Sequence, residues 1–332
     1  MSGELIHISA YAASDPGRQR SANQDQWLIL DLTTGARGLL AEALEHDVGP
    51  QGTLLAISDG LGGAPGGELA SSLVMESLLR DLKGQIASEN PIDRYSQAIQ
   101  RANRWIWEVA QTDVELHGMG ATLTTALIHR RWAYVAQVGD SRGYLIRRGK
   151  IYQITEDQSL LGALVMAGQL SLEDAREAEG RNIVLQALGP QPHVQSAITE
   201  VLLEDADLLV LCTDGLFNQV PAKEIRQVFA ESPGLRAACE ELIRRANDRG
   251  GPDNITIVAA RILAPGLRQV LSGSESVHEL LKFDASKILK QHPELTELAT
   301  ANIRYRRRRL YLLLVLAIVF VGLLILMAWM EG

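Results

Sequence analysis

The chain has 332 residues, with 32 Lys and Arg against 40 Asp and Glu and a formal net charge of −8. At 46% hydrophobic and 22% charged residues, the composition excludes a disordered or low-complexity protein. The acidic balance argues against a nucleic-acid partner, which needs a basic face to grip phosphates. Cys212 and Cys239 are too few for a disulfide framework or a cysteine zinc site and favour a reducing compartment.

In chain order, the first ten residues carry no basic flank or long apolar run, so no signal peptide is expected. Apolar runs at 26–32 and 53–58 read as strands. After Gly67, the residues Ala70, Leu73, Val74, Leu78 and Leu82 share one helical face. Ile92, Tyr95, Ile99, Ala102, Trp105, Ile106 and Val109 mark a second helix, in which Trp105 and Trp107 read as core packing. Strands follow at 121–129, 132–138, 143–147, 207–212 and 254–260, with Gly139-Asp140-Ser141-Arg142 expected to turn a hairpin. Ile225, Val228 and Phe229, then Leu235, Ala238, Leu242 and Ile243, give a third helical region broken at Pro233-Gly234. Many strands with few, paired helices predict a strand-rich α+β architecture over residues 1–263.

From 264 to 303, Pro265, Ser272-Gly273-Ser274 and Pro293 interrupt the pattern, while Val277, Leu280, Leu281, Ile288 and Leu289 have partly helical spacing. This reads as a solvated or loosely docked linker with room for short helices. The basic flank 304–309 holds Arg304, Arg306, Arg307, Arg308 and Arg309; without these and Glu331 the chain carries 27 basic and 39 acidic residues, a net of −12. Residues 310–330 contain no charge, and at about 1.5 Å per residue they form a helix of roughly 31 Å, the thickness of a bilayer core. Tyr311 and Trp329 stand near its ends, where interfacial aromatics belong. A single transmembrane helix is expected, with the N-terminal part on the cytosolic face of the inner membrane by the positive-inside rule.

Four apolar strands meet an aspartate in a turn: Asp59-Gly60, Asp140-Ser141, Asp214-Gly215 and Asp253-Asn254. Singly, each is an ordinary turn former. As a set, clustered strand ends would bring the carboxylates together, and converging carboxylates repel unless protonated or bound to cations. Oxygen donors without His or Cys at ligand spacing select a hard cation, Mg or Mn.

These residues carry a resemblance. Asp15-x-Gly17-x-x-Arg20-x-x-Asn23-Gln24-Asp25, Asp59-Gly60-Leu61-Gly62-Gly63 with Gly67-Glu68-x-Ala70-Ser71, Met119-Gly120-Ala121-Thr122, Gly139-Asp140-Ser141-Arg142 with Thr155-Glu156-Asp157-Gln158-Ser159, Asp214-Gly215-Leu216 and Gly251-Pro252-Asp253-Asn254-Ile255-Thr256 follow in order. From about Ser14 to Ala260 the chain resembles the bacterial form of the metal-dependent type-2C (PPM) Ser/Thr protein phosphatases. The resemblance implies two packed antiparallel β-sheets flanked by helix pairs, with two or three Mn or Mg ions at one end. Asp59 would bridge two ions, the carbonyl of Gly60 would hold one, and Asp214 and Asp253 would complete the set. Asp25 of the opening motif belongs with the metal-binding positions, and Asp140 with Asp214 matches a third, weaker one. Arg20 would clamp the phosphate. Ions held there would supply hydroxide near neutral pH, so no phosphoenzyme is needed and Cys212 reads as core packing.

Several positions depart from the family pattern. Gln24 stands where a Glu contacts metal-bound water, and Ala64 where a His is assigned as general acid. Losing such an acid costs about 10²–10⁴ in rate for a poor leaving group. His117 is the nearby substitute in sequence; His129 reads as structural or exposed. Gln158 replaces a frequent His, and Asn218 stands where some members add an acid for the third metal. Residues 160–181 match a mobile substrate-selecting flap, with Glu173, Asp174, Glu177 and Glu179 giving an acidic face. The resemblance and the anchor together imply a membrane-tethered phosphatase acting on phosphorylated proteins, among them a Ser/Thr kinase or a membrane-associated complex. The alternatives are a low-turnover scaffold of the same fold, motivated by Ala64 and Gln24, and an acidic cation sensor.

Overall fold

The computed structural model describes residues 6–38, 43–63, 65–83, 91–178, 180, 183–265 and 277–300. The strands begin with β1 (His7–Asp15), β2 (Gln26–Asp31), β3 (Leu44–Asp47), β4 (Thr53–Ser58) and the two-residue β5 (Gly60–Leu61). Helices α1 (Gly66–Leu82) and α2 (Pro91–Ala110) precede β6 (Gly120–Ala121), β7 (Leu123–His129), β8 (Trp132–Val138), β9 (Arg142–Arg147) and β10 (Lys150–Gln153). Short helices α3 (Leu160–Met166) and α4 (Leu172–Glu177) lead to β11 (Ala197–Leu202) and β12 (Leu208–Cys212). Then come α5 (Asp214–Phe217), α6 (Ala222–Glu231), α7 (Leu235–Asp248), β13 (Ile255–Leu263), β14 (Val277–Leu281) and α8 (Ser286–Gln291).

The chain divides into two units, one from 1–158 and 186–283 and the other from 159–185 and 284–332. In the first, two six-stranded sheets have the orders β10-β9-β12-β13-β1-β3 and β14-β11-β8-β7-β4-β2, and every strand pairing in them is antiparallel. The apolar runs that predicted strands have no polar alternation because both faces are covered. In β4, Leu55 and Ile57 face the layer between the sheets while Leu54 and Ala56 face α1 and α2. In β13, Val258, Ala260 and Ile262 enter the same central layer while Ile255, Ile257 and Ala259 meet α6 and α7. The expected sandwich of two sheets between helix pairs is therefore present in this unit.

Three sequence expectations are corrected. First, Gly139–Arg142 is no hairpin: β8 pairs with β7 and β11, β9 with β12 and β10, so this turn carries the chain from one sheet to the other. Strand periodicity gives a strand's faces but not its partner. Second, the segment after 263 is not loose where it is described. Val277–Leu281 adds β14 to the edge of a sheet through backbone pairing with β11, which needs little side-chain burial. Ser286–Gln291 is one of the expected short helices. Third, Trp105 packs on the core, but Trp107 lies under the Arg104 guanidinium, 4.6 Å from the ring centre. Among the described residues no helix is long and apolar enough to cross a membrane. The expected span 310–330, its flank 304–309 and linker residues 266–276 and 301–303 lie outside the described residues, as does Ala64.

Candidate metal centre

Strand register brings the aspartates to one end of the sandwich. Gln26 is paired with Ser58, so the next residues outward are Asp25 and Asp59. Cys212 lies between Ile257 and Arg142, which places Asp214, Asp253 and Asp140 just beyond the same edge. Two glycines permit the close approach. A Cβ on Gly60 would stand 2.1 Å from the Gly67 carbonyl oxygen, and one on Gly215 would stand 2.0 Å from that of Asn254. The Asp-Gly pairs are thus fixed by backbone crowding as well as by turn chemistry.

The electrostatics report the convergence. Burial, then the charges of Asp25, Asp214, Asp140 and Asp253, hold the Asp59 carboxyl well above the usual range. Asp140 is pushed up to about 7, mainly by burial and then by Asp214. Asp25 and Asp214 are raised as well, each chiefly by burial, with Asp253 repelling both. Asp25 Oδ2 accepts a hydrogen bond from the Thr213 hydroxyl at 2.9 Å, whereas its buried Oδ1 has no partner. Asp214 Oδ2 accepts from Asn218 Nδ2 at 3.2 Å, and its Oδ1 is likewise buried and unpaired. Orphaned, mutually repelling carboxylate oxygens are what a hard cation would satisfy, so the residues present fit Mn or Mg. No three His, Cys, Asp or Glu among the described residues stand close enough to ligate one ion by themselves.

The other sequence-predicted residues fall around this group. Arg20 Nη2 donates to Asp253 Oδ2 at 2.6 Å and also feels Asp59 and Asp214, so its half-exposed guanidinium stands at the edge of the carboxylates. Gln24 braces the backbone: its N–H donates to Asn254 Oδ1 at 2.8 Å, and its carbonyl accepts from the Ser71 hydroxyl at 2.6 Å and the Gly60 N–H at 3.2 Å. Asn218 holds Asp214 rather than offering another charge. His117 is exposed after the 3₁₀ turn Val114–Leu116, and among the described residues no hydrogen bond or ion pair joins its imidazole to the carboxylates. His129 is buried, with Nε2 3.2 Å from the Pro50 carbonyl oxygen, a structural role. Burial pushes the Cys212 thiol up to about 12, which keeps it protonated and non-nucleophilic at neutral pH.

The sequence reading missed the polar framework. Asn254 Nδ2 donates to the carbonyls of Pro16 and Ala22 at 2.9 Å each, latching the loop that carries Arg20 to β13. Thr213 holds Asp25 and also accepts the Thr256 N–H at 2.9 Å. The Thr122 hydroxyl accepts the Asp59 N–H at 3.0 Å, and Ser58 donates to the Thr122 carbonyl at 2.7 Å. Their one signal was small hydroxyl or amide residues beside the aspartates inside apolar strands.

Residues 40–257 match the family profile described as protein phosphatase 2C. The chain belongs to the protein phosphatase 2C family. It is 34% identical over 208 residues to the serine/threonine phosphatase stp of Listeria monocytogenes, covering 62% of this chain and 82% of the relative. A solved serine/threonine phosphatase of S. agalactiae superposes with a TM-score of 0.68 at 31% identity, covering 76% of this chain and 98% of that one. The catalytic domain of the phosphatase PstP, solved in complex with two manganese ions, gives 0.65 at 29% identity over 78% of this chain and 99% of that one. The protein is accordingly a protein phosphatase.

Proposed function

We propose that the protein is a metal-dependent phosphoserine/phosphothreonine phosphatase tethered to the cytosolic face of a membrane. The observation that carries the catalytic part is the set of five aspartates with two buried, unpaired carboxylate oxygens, Asp25 Oδ1 and Asp214 Oδ1. Asp59, Asp214 and Asp253, with the Gly60 carbonyl and Asp25, would hold two Mn or Mg ions, and Asp140 with Asp214 a third. When bound, such ions would supply a hydroxide nucleophile near neutral pH. Arg20, already at the edge of the carboxylates, exchanges Asp253 for the equatorial oxygens of the phosphate and neutralises charge that develops there. Thr213, Thr122 and Asn254 fix the carboxylates and the Arg20 loop beforehand, so little reorganisation is left for the reaction. Relatives named serine/threonine phosphatases support this substrate class.

The tether rests on residues 304–330: five arginines followed by an uncharged, apolar stretch of bilayer length. Confinement to a surface raises the effective concentration of membrane-bound partners without any new contact. Phosphoproteins of the membrane, including a Ser/Thr kinase, are therefore the expected substrates.

The test is turnover of the full chain with Mn on an aryl phosphate and on a phosphothreonine peptide, beside Asp214→Asn. Metal-dependent cleavage of both, lost in the variant, is the expected outcome. Cleavage of the aryl ester alone would show that the leaving-group step is crippled, as Ala64 suggests, and would turn the reading toward the scaffold. No cleavage of either by folded, metal-loaded protein would sink it.

A further inference from the structure

Two structural features concern the segment 159–185, which contains the expected flap 160–181. The first is its apolar face. Leu160, Leu161, Leu164, Leu170 and Ala178 are buried in one cluster, and the chain's own C-terminal segment completes it. Ala299 is fully buried there, and Leu289 and Leu295 pack against it. Residues 293–300 are helical, so Leu295 and Ala299, four apart, share one face, with Leu289 supplied by the preceding α8. A flap built on two short helices of seven and six residues has little core of its own. The segment that leads directly to the basic flank thus supplies part of the flap's interior.

The second feature is the way the flap is fastened. The chain leaves the main unit at Gln158 and re-enters it at Gln186. Gln158 is 1% exposed, and its Oε1 accepts both the Gly139 N–H at 2.9 Å and Gln186 Nε2 at 3.0 Å. Its own N–H donates to the Gly139 carbonyl at 3.0 Å, and its Nε2 donates to the Gln137 carbonyl at 3.2 Å. Gln137 Nε2 closes the turn by donating to the carbonyls of Gly139 at 2.9 Å and Ser141 at 2.6 Å. Three glutamines of the main unit therefore tie the points where the chain leaves and re-enters it to the Gly139–Ser141 turn, which carries Asp140. Gln137 Oε1 is buried without a partner, so the network is already one bond short, and breaking another would leave a further amide unpaired.

We propose that residues 284–300 control the enzyme through the flap: seated on its apolar face they complete its interior, and because the chain runs directly from Gln158 into the flap, unseating them also loosens the Asp140 turn. A pull on the tail that unseats the segment loosens both. Gln158 is then a positioning residue, acting on the site through Gly139. The control falls on large substrates, since an aryl phosphate needs only the ions and Arg20.

The experiment uses the full chain in mild detergent and compares it with Ala299→Asp, which buries an unpaired carboxylate in the cluster. Hydrogen exchange at residues 160–178 is expected to accelerate about tenfold or more, and at 139–143 by a smaller factor, while 255–263 stays protected. KM for a phosphothreonine peptide is expected to rise about three- to tenfold, with aryl phosphate turnover within about twofold. Should the aspartate melt the whole chain, Leu289→Ala reads the same changes at smaller size. Gln158→Leu separates the two halves, freeing 139–143 while the flap amides keep their protection. Unchanged flap exchange in both tail variants, or a loosened flap with an unchanged peptide KM, would overturn the proposal. A loosened flap with unaltered 139–143 would overturn the link to Asp140. The substrate-size readout rests on the phosphatase reading; the exchange readout does not, so failure of one is distinguishable from failure of the other.

Discussion

The carboxyl of Asp25 is held in a state that a bound cation would relieve. It is 4% exposed, raised by burial and by its neighbours, and one of its oxygens has no hydrogen-bond partner. A neutral amide there removes the repulsion and, in the proposed metal set, one charge that would hold a cation. Asp25→Asn is therefore expected to raise the melting temperature of the metal-free chain by ~2–4 °C, the shift that about 1 kcal/mol produces in a domain of this size. The rise on adding Mn should shrink in the same variant, and calorimetric scans with EDTA and with Mn read both. Cys212 gives the opposite kind of prediction. Its thiol, buried and pushed up to about 12, presents no thiolate, so iodoacetamide at neutral pH should leave turnover unchanged. Loss of activity tracking alkylation of Cys212 would contradict a mechanism without a cysteine nucleophile.

At the scale of elements, the site is a set of strand ends held by side chains that themselves bind nothing. Asn254 connects the start of β13 to the loop 16–24 through three hydrogen bonds, to Pro16, Ala22 and Gln24. Replacing it by Ala leaves those backbone groups to find water, at a cost of about 1–3 kcal/mol if they remain buried. Because the same loop carries Arg20, Asn254→Ala should also raise KM for phosphorylated peptides. A variant with normal KM and only lower stability would confine Asn254 to folding. The Gly139–Arg142 crossover belongs at this scale too. A hairpin turn would have kept β8 and β9 in one sheet, whereas the crossover sends the chain between sheets and leaves Asp140 at their common edge.

For the whole molecule, the raised carboxyls set the pH dependence of the metal-free chain. Their folded values lie above the ordinary 3.8, with Asp140 at about 7, so the folded state binds more protons than the unfolded one. Stability from these groups is full below about pH 4 and is lost as pH rises through about 7. In the proposed metal set, bound cations would remove the penalty by pairing the charges. The melting temperature with EDTA should then fall between pH 5 and 8, and the increment given by Mn should grow over the same interval. An increment independent of pH would mean that the aspartates do not hold the ions. The tether is tested separately: deleting residues after Asn302 should move the protein from the membrane to the soluble fraction while leaving metal-dependent turnover of an aryl phosphate in place. It should also lower dephosphorylation of membrane phosphoproteins in cells.

The sequence by itself determined the long apolar strands, the two helix pairs and the aspartates at the strand ends, because these depend on local periodicity and on turn chemistry. It placed α1 and α2 by their one-sided apolar stripes. It missed β1, whose His-Ile-Ser-Ala-Tyr-Ala-Ala-Ser-Asp has only Ile8 and Tyr11 among alanines and serines. That strand exists because β13 and β3 pair with it on either side. It also missed β14, an exposed edge strand held by backbone pairing, and the seating of residues 289–299 on the flap, because both depend on partners far away in the chain. Only the tertiary structure decided which strands share a sheet, that Arg20 meets Asp253, that Asn218 holds Asp214, and that Thr213, Asn254 and Gln158 build the frame. Apart from the Asn218–Asp214 pair, four residues apart, those are contacts between residues up to 238 positions apart, and no local pattern encodes them.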